Sequence, residues 1–420
     1  MKYLKILAAV IFNCALALSV MAGEIDMLLD KLAEKDVISY GEAQQIKTES
    51  AEQIRADIAA GKHADAPSWV QSIMLKGDVR LRNQTERKDQ DERRNRNRVR
   101  AKVGILANVT PNWKAGIGLA TGGTDSRSTN QTLEDGFSKK GIMLDYAYMN
   151  YIPVSWLALW GGKYGIENAL WKTGDLLWDS DINVEGVNAN IKYKVNSFKF
   201  FINSGYWILD EFKDSGSSQT NNPADPYMIM VQPGIKYSFS KPNYIKVASH
   251  FYQFQHVKDE AVLPNSEGGN TTYTNGAGNT VLKYDYDSVG ADAEIGFAIP
   301  GGIPKLQWGA VFGEYIKNNN PDKRNEGSLG GIKLGEQKIT EFGHIQATYM
   351  YRHLEKDAWL DIFPDSDSYD GETGIMGHEI ILTVGLAKNV SLAFDWYDMR
   401  PTTPNSRHKK LLQTDLLVKF

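Results

Sequence analysis

The chain ends in the segment Lys409-Lys410-Leu411-Leu412-Gln413-Thr414-Asp415-Leu416-Leu417-Val418-Lys419-Phe420, in which the side chains alternate in polarity. One face of an extended chain would carry Leu412, Thr414, Leu416, Val418 and Phe420. The opposite face would carry Gln413, Asp415 and Lys419, with Leu411 and Leu417 as exceptions. A period of two is typical of a β-strand with one apolar face, so the segment predicts such a strand with an aromatic residue at its end.

The same period of two recurs along the chain from Trp69 onward. Apolar residues occupy the odd positions from Val99 to Val109, whereas positions 98, 100 and 102 on the other face are basic. Similar alternation runs through residues 227–239, 289–299 and 345–352. Residues 156–164 and 198–206 are partly apolar on both faces. We therefore expect a succession of strands, most of them with one polar face.

Short and long connections alternate between these strands. Short ones lie near residues 111–112, 153–155, 195–197, 240–243, 300–302, 335–337 and 388–390. Long polar ones lie near residues 87–96, 122–140, 165–182, 210–225, 257–284, 317–327, 357–376 and 400–408. Short turns at one rim and long loops at the other are typical of outer-membrane β-barrels. The sequence therefore predicts an all-β fold, a transmembrane antiparallel β-barrel of about sixteen strands over residues 68–420.

The composition alone would also fit a soluble secreted β-protein, which is the alternative fold. Mean hydropathy is −0.39 and charged residues make up 23% of the chain. No segment after residue 22 approaches the roughly 18 apolar residues of a membrane helix. A barrel escapes that test because half of each strand faces a polar lumen. The formal net charge of −4 argues against a nucleic-acid-binding protein as a whole.

The N-terminal residues predict export. Lys2 and Lys5 precede an apolar stretch, and a small-residue pattern ends at Ala22, so residues 1–22 are expected to be a secretory signal peptide. Residues 23–67 carry apolar residues at helical spacing and predict a short helical leader in the periplasm, with a flexible spacer as the alternative. The single cysteine, Cys14, lies in the signal peptide, so the mature chain is expected to hold no disulfide or thiolate site.

Aromatic residues next to the short turns or the terminus predict a girdle at one membrane interface. They are Trp113, Trp156, Tyr237, Phe239, Tyr244 and Phe420.

Basic residues concentrate on one face of the first two predicted strands. An arginine facing lipid at mid-bilayer costs about 2–4 kcal/mol, so the lumen is the favoured side. The solvated face of a soluble sheet is the alternative. The predicted pore-lining residues are Lys76, Arg80, Arg82, Arg98, Arg100 and Lys102, together with Asp292 and Glu294 on a later strand.

The third long loop combines acidic and large apolar side chains, which is unusual for a loop in water. We expect it to fold back into the barrel mouth and to oppose its acids to the basic face, forming a constriction that selects solutes by charge and size. An exposed apolar contact patch is the alternative. The predicted constriction residues are Trp171, Asp175, Trp178, Asp179 and Asp181.

Several motifs, in the order in which they occur along the chain, resemble sequences of the bacterial putative porin family. They are the segments 77–82, 94–104, 118–123, 171–186 and 330–335. The resemblance implies an outer-membrane barrel of Gram-negative bacteria for passive diffusion of small hydrophilic solutes, surrounded by lipid. Family analogy adds a homotrimer, and the strand that ends in Phe420 would be recognised by the barrel assembly machinery.

The residues predict neither a catalytic site nor a cofactor or metal. The seven histidines show no metal-ligand spacing, and residues 365–371 resemble a calcium loop whose third acid is displaced by one position. We expect a channel with mild anion preference, because six basic positions share one wall. A non-conducting structural or adhesive outer-membrane barrel is the alternative, and a hydrolytic barrel is disfavoured.

Overall fold

The computed structural model describes residues 73–211, 224–266, 268–300, 306–404 and 406–420, together with Glu42, Ile46 and Glu49. The chain divides into Met1–Met74 and Leu75–Phe420. The predicted signal peptide and, apart from those three residues, the predicted helical leader lie outside the described residues. Apart from Ile73 and Met74, which begin its first strand, the barrel belongs to the second unit.

Sixteen long strands form the barrel wall. In chain order they are β1 (Ile73–Lys88), β2 (Arg94–Asn108), β3 (Trp113–Thr121), β4 (Ile142–Val154), β5 (Leu157–Gly165), β6 (Asn183–Val195), β7 (Phe198–Ile208), β8 (Tyr227–Ser238), β9 (Tyr244–Gln255), β10 (Ser288–Ala298), β11 (Trp308–Asn318), β12 (Glu326–Gly335), β13 (Ile345–Leu354), β14 (Ile375–Ala387), β15 (Val390–Pro401) and β16 (Lys409–Lys419).

Each strand pairs with its neighbours in the chain, and the last strand pairs with the first, so the sheet closes. β1 and β16 are antiparallel in a register that places Asp78 opposite Lys419 and Lys88 opposite Lys409. Backbone hydrogen bonds of 3.0 and 2.9 Å between Gly77 and Phe420 extend this seam. Within the described residues, closure leaves the barrel sheet without a free edge. The predicted antiparallel barrel of sixteen strands is confirmed.

The alternation of polarity places side chains on the two sides of the wall. On β1, Leu81 is 50% exposed, whereas Arg82 and Gln84 are 7% and 2% exposed. A shift of register by one residue would exchange these faces, so the pattern fixes the strand pairing. The apolar face is therefore the outer surface of the barrel, and the polar face is its interior.

The connections have the predicted asymmetry. Turns as short as Asn196–Ser197 and Lys388–Asn389 join strands at one end of the barrel, the turn end. Loops at the other end, the loop end, are longer and carry structure of their own, including the single-turn helix Ile166–Ala169 and a small hairpin of Thr272–Thr274 with Thr280–Leu282. Among the described residues, no helix is long and apolar enough to cross a membrane.

Most of the predicted girdle residues lie on the outer surface at the turn end. Trp113 stacks on Tyr151 with ring centroids 4.4 Å apart, and Trp156 and Phe239 are exposed. Tyr244 is the exception, and that part of the prediction is wrong. It shares the parity of the inward residues of β9, and its hydroxyl donates a hydrogen bond of 2.7 Å to Glu294.

Candidate functional site

The loop between β5 and β6, residues 166–182 and here called L3, folds into the barrel. Leu176 and Leu177 are fully buried and Trp178 is 1% exposed. The Trp178 indole Nε1 donates a hydrogen bond of 3.1 Å to the Tyr252 hydroxyl on β9. Burial of these large apolar side chains inside the barrel stabilises the inward fold of L3, as we expected from the sequence.

The start of L3 is fixed by a side chain of the wall. Gln232 on β8 accepts a hydrogen bond of 2.8 Å from the Trp171 amide and donates one of 2.6 Å to the Trp171 carbonyl oxygen. Because both backbone groups of Trp171 are satisfied by one amide side chain, the loop enters the lumen in a defined position.

A second loop, residues 355–374 and here called L7, covers L3. The Trp359 indole donates a hydrogen bond of 2.8 Å to the Leu177 carbonyl oxygen. The ring of Trp178 lies 4.6 Å from the ring of Phe363 and 5.7 Å from that of Trp359. These aromatic contacts join L3 and L7 into one apolar plug against β7 to β9.

The acidic end of L3 faces the opposite wall. Asp181 lies 3.1 Å from Lys102 Nζ and 3.7 Å from a guanidinium nitrogen of Arg100, both on β2. Asp145 on β4 lies 3.6 Å from the same lysine. The structure therefore brings together one predicted acid of the loop and two predicted bases of the wall.

The two neighbouring acids of L3 differ in their electrostatics. Burial acts to raise the pKa of Asp181, but Lys102 and Arg100 outweigh it, so that the pKa lies below its usual value. Burial and the negative charge of Asp181 raise the pKa of Asp179 to about 7, although Asp179 accepts hydrogen bonds from the backbone amides of Asp181 and Ser366. Asp179 thus contacts L7 and its own loop rather than the basic wall.

Asp175 also departs from the predicted position. It lies 2.8 Å from Arg352 on β13, and the same guanidinium contacts Asp365 at 3.2 Å and Glu379. The ligand atoms of these three acids lie within 4.8 Å of one another. A metal ion could bind such a group, but the Arg352 guanidinium reaches all three acids and supplies the positive charge.

The predicted bases of β1 and β2, here called the basic wall (Arg80, Arg82, Arg98, Arg100 and Lys102), point inward. Arg82 forms ion pairs of 2.7 Å with Asp415 and 3.0 Å with Asp367. Arg80 lies 3.6 Å from Asp415, and Arg100 lies 2.7 Å from Asp78. Most of the wall is therefore neutralised locally.

Arg98 is different. Its hydrogen-bond partners are the neutral groups of Gln84 at 3.3 Å, and Ser128 and Asn130 at 3.5 Å. Within the described part of the chain it has no carboxylate within 4.0 Å, so its charge is the least compensated of the wall. Lys76, at the turn end of β1, is exposed.

The predicted lumen acids of β10 occupy two environments. Asp292 is 2% exposed, accepts a hydrogen bond of 3.4 Å from Thr173 and lies 3.4 Å from the Gln232 amide that donates to it, so it supports the base of L3. Glu294 lies nearer the turn end, 4.0 Å from Lys333.

Sequence reasoning missed the contribution of L7. Its segment 357–363 contains Trp359, Leu360 and Phe363, the same mixture of acids and large apolar residues that identified L3. Asp367, in the segment compared with a calcium loop, instead pairs with Arg82. Arg127 was also missed, and it is 2% exposed and donates to the carbonyl oxygens of Asp361 and Asn265.

Two cavities lie on either side of the contact between Asp181 and Lys102. The cavity toward the loop end has a volume of about 260 Å³ and is lined by residues that include Arg96, Arg98 and Asp367. The cavity toward the turn end has a volume of about 580 Å³ and is lined by Trp171 and several lysines. This arrangement can bind or guide hydrophilic, charged solutes.

Comparison with known proteins is consistent with this geometry. A family model described as "Putative porin" matches residues 86–275 and 277–420. Comparison with curated protein sequences finds no significant match. Among solved structures, the high-pH structure of Pseudomonas putida OprB is similar in fold, with a TM-score of 0.54 and 10% identity over 83% of this chain and 94% of that one. A triple mutant of the Rhodopseudomonas blastica porin gives a TM-score of 0.44 and 10% identity over 83% and 100% of the two chains.

Proposed function

This chain belongs to the putative porin family, and we propose that it is an outer-membrane porin through which small hydrophilic solutes diffuse passively. The observation that carries the proposal is the position of Asp181 opposite Lys102 and Arg100. A closed barrel that sets an acidic loop end against a basic wall has the parts of a charged constriction.

The path would run along the wall formed by β1 to β3. On the other side of the lumen L3 is packed against β8 and β9, where Trp178 and Tyr252 are buried. Along the basic wall the side chains of Arg100, Lys102 and Asp181 keep 11%, 23% and 17% of their surface exposed. Charged groups that remain partly hydrated mark the side on which water and solutes would pass.

A mild anion preference is the selectivity that this arrangement supports. Arg98 is uncompensated by a nearby carboxylate in the described structure. Arg100 and Lys102 share Asp181, and each also contacts a second acid, Asp78 and Asp145 respectively. An ion responds to the local potential at the constriction rather than to the net charge of the chain. The acids that pair with the rest of the wall would keep the preference small.

Liposome swelling tests the function without assuming a particular solute. Vesicles that contain the purified protein are placed in isotonic solutions of sugars of increasing size. Swelling that declines with solute size supports a diffusion pore. Vesicles with verified protein insertion that swell in none of the sugars would exclude it.

A non-conducting structural or adhesive barrel is the second candidate. The plug of L3 and L7 favours it, since Trp178, Trp359 and Phe363 bury their aromatic rings inside the barrel. The two functions differ in conductance, and a plugged barrel would carry its function in exposed parts of its long loops. In both cases the function is not enzymatic.

The remaining expectations concern location and partners. The family and the ring of exposed apolar side chains, such as Leu81, Ile117 and Val311, support an outer-membrane location with lipid as the surrounding medium. Recognition of the strand that ends in Phe420 by the assembly machinery and a homotrimeric state are part of the proposal. Chemical crosslinking in outer-membrane fractions would test the trimer.

A further inference from the structure

Four lysines lie side by side on the inner wall near the turn end. The strand register places Lys194 opposite Lys199, Lys199 opposite Lys236, and Lys236 opposite Lys246, so that the row crosses β6, β7, β8 and β9. We call these residues the lysine row. Like charges directly opposite one another on neighbouring strands destabilise a sheet, so the row opposes folding.

The lysine row lacks the compensation that the basic wall has. Among the residues that the structure describes, none of its members lies within 4.0 Å of a carboxylate oxygen. The nearest acid in the register is Glu294, opposite Lys246, and Glu294 also lies 4.0 Å from Lys333 and accepts a hydrogen bond from Tyr244. Glu167 of the single-turn helix lines the cavity toward the turn end beside the row, together with five lysines. Positive charges therefore outnumber the acids there and leave a positive local potential.

Three members of the row line the cavity of about 580 Å³ between L3 and the turn end. Lys114 and Lys192 line it as well, from β3 and β6. The cavity also has an aromatic side. Lys246 Nζ lies 3.9 Å from the centre of the Trp171 ring, and Trp171 meets Phe201 edge-on with centroids 6.2 Å apart.

We propose that this cavity is a binding site for small phosphorylated organic solutes, with sugar phosphates as the class that fits it. The proposal rests on the proposed function, because the solute reaches the cavity from the lumen. Ammonium groups bind phosphate oxygens as point charges, and several lysines together favour a doubly charged phosphate over a monovalent ion. The rings of Trp171 and Phe201 offer an apolar surface to the organic part, and a cavity with a few polar groups and aromatic walls is the usual form of a small-molecule site.

The repulsion within the lysine row is then explained by its occupant. An unoccupied row destabilises the barrel, whereas a bound phosphate stabilises it by supplying the missing negative charge. Residues that reduce stability in the free protein and bind a ligand are a recurrent feature of functional sites.

The test measures equilibrium binding of glucose 6-phosphate to the full-length protein in detergent, with glucose and inorganic phosphate as competitors. Binding is expected in low salt, glucose is expected not to compete, and inorganic phosphate is expected to compete more weakly than glucose 6-phosphate itself. The variant Lys199→Gln with Lys236→Gln should weaken binding by about a hundredfold, since each of the two lost charge-assisted contacts is worth about tenfold. The control Lys388→Gln removes the same kind of charge from an exposed turn and should bind like the native protein.

Three results would overturn the proposal. Unchanged glucose 6-phosphate binding in the double variant would show that the lysine row is not the binding site. Absence of binding by the native protein would show that no such site exists. Equal competition by inorganic phosphate would show that the organic part of the solute adds no affinity, and would exclude sugar phosphates as the preferred class. Folding of the variant is checked by denaturation, where the loss of like-charge repulsion predicts a barrel at least as stable as the native one.

This experiment separates the proposal from the proposed function. Binding in detergent needs no conduction, so a barrel that binds glucose 6-phosphate but does not conduct chloride would refute the porin and keep the site. A conducting barrel that does not bind glucose 6-phosphate would refute the site and keep the porin.

Discussion

Trp178 in L3 donates its indole hydrogen to the hydroxyl oxygen of Tyr252 on β9, 3.1 Å away. This hydrogen bond holds the apolar part of L3 to one side of the barrel, while Asp181, three residues later, faces Lys102 on the other side. The position of L3 therefore determines which charged side chains face the basic wall.

Replacement of Trp178 should loosen this loop. Trp178→Ala is expected to lower the free energy of unfolding by about 3–5 kcal/mol, because it leaves a cavity among Trp359, Phe363 and Tyr252. It should also raise the single-channel conductance, since L3 would no longer be held to β9. Trp156→Ala, at an exposed position near the turn end, is the control. Unchanged stability and conductance in Trp178→Ala would show that the plug does not depend on this residue.

The basic wall should control ion selectivity. In Arg98→Gln with Arg100→Gln, anion preference measured as the reversal potential in a salt gradient is expected to fall. The reciprocal change, Asp181→Asn, should increase it, because Lys102 loses its closest acid. The effect should fade with salt, since the Debye length drops from about 10 Å at 0.1 M to about 3 Å at 1 M.

Arg87→Gln with Arg94→Gln is the matched control, because both residues are exposed near the loop end of the barrel. An unchanged reversal potential at low salt in the Arg98 and Arg100 variant would show that the basic wall does not control ion selectivity, which would then depend on pore size or on the loop acids alone.

Arg352 should be essential for stability. Its guanidinium contacts Asp175, Asp365 and Glu379 and has 2% of its surface exposed. Removal of one partner from a buried ionic cluster costs about 3–5 kcal/mol, since the acids remain without their counter-charge. Arg352→Gln should therefore unfold at a lower denaturant concentration than the native protein, whereas Arg400→Gln, at an exposed position on β15, should not. Equal midpoints for Arg352→Gln and the native barrel would contradict the role of this cluster.

Asp179 should make stability depend on pH. Its pKa is raised to about 7 by burial and by Asp181, with a further contribution from Asp367 in L7. Between about pH 4, the usual value for an aspartate, and pH 7, the folded protein retains a proton that the unfolded chain has lost. Stability contributed by this group therefore falls as pH rises through that window.

The matched variant for this effect is Asp179→Asn, in which Asp181 is retained. The free energy of unfolding of the native protein, minus that of the variant, is expected to decrease from pH 4 to pH 7. A difference that stays constant over this range would show that Asp179 titrates at its ordinary value in the folded protein.

The features that depend on local pattern were predictable from the sequence. Alternation of polarity along segments such as Lys409–Phe420 predicted the strands and their two faces. The sequence of short and long connections predicted the number of strands. The two tryptophans and two leucines of residues 171–178 gave the inward fold of L3. The sequence predicted that three acids of L3 face the basic wall, and Asp181 does so, 3.1 Å from Lys102.

Features that depend on register and on distant contacts were not predictable. The sequence placed Asp175 against the basic wall, but only the fold brings β13 and its Arg352 beside it. Alternation through residues 227–239 predicted a polar face on this strand, but the lysine row requires the register of four strands. Tyr244 was assigned to the outer surface because it follows a short turn, whereas its parity on β9 directs it inward.

Recording of the current through the purified protein in planar lipid bilayers tests whether the barrel is a porin. A porin should give stable conductance steps that are proportional to voltage, and its reversal potential at low salt should be shifted slightly toward the equilibrium potential of the anion. Bilayers in which insertion is verified by an independent label, but which remain silent over many insertions, would contradict a porin and leave the plugged structural barrel.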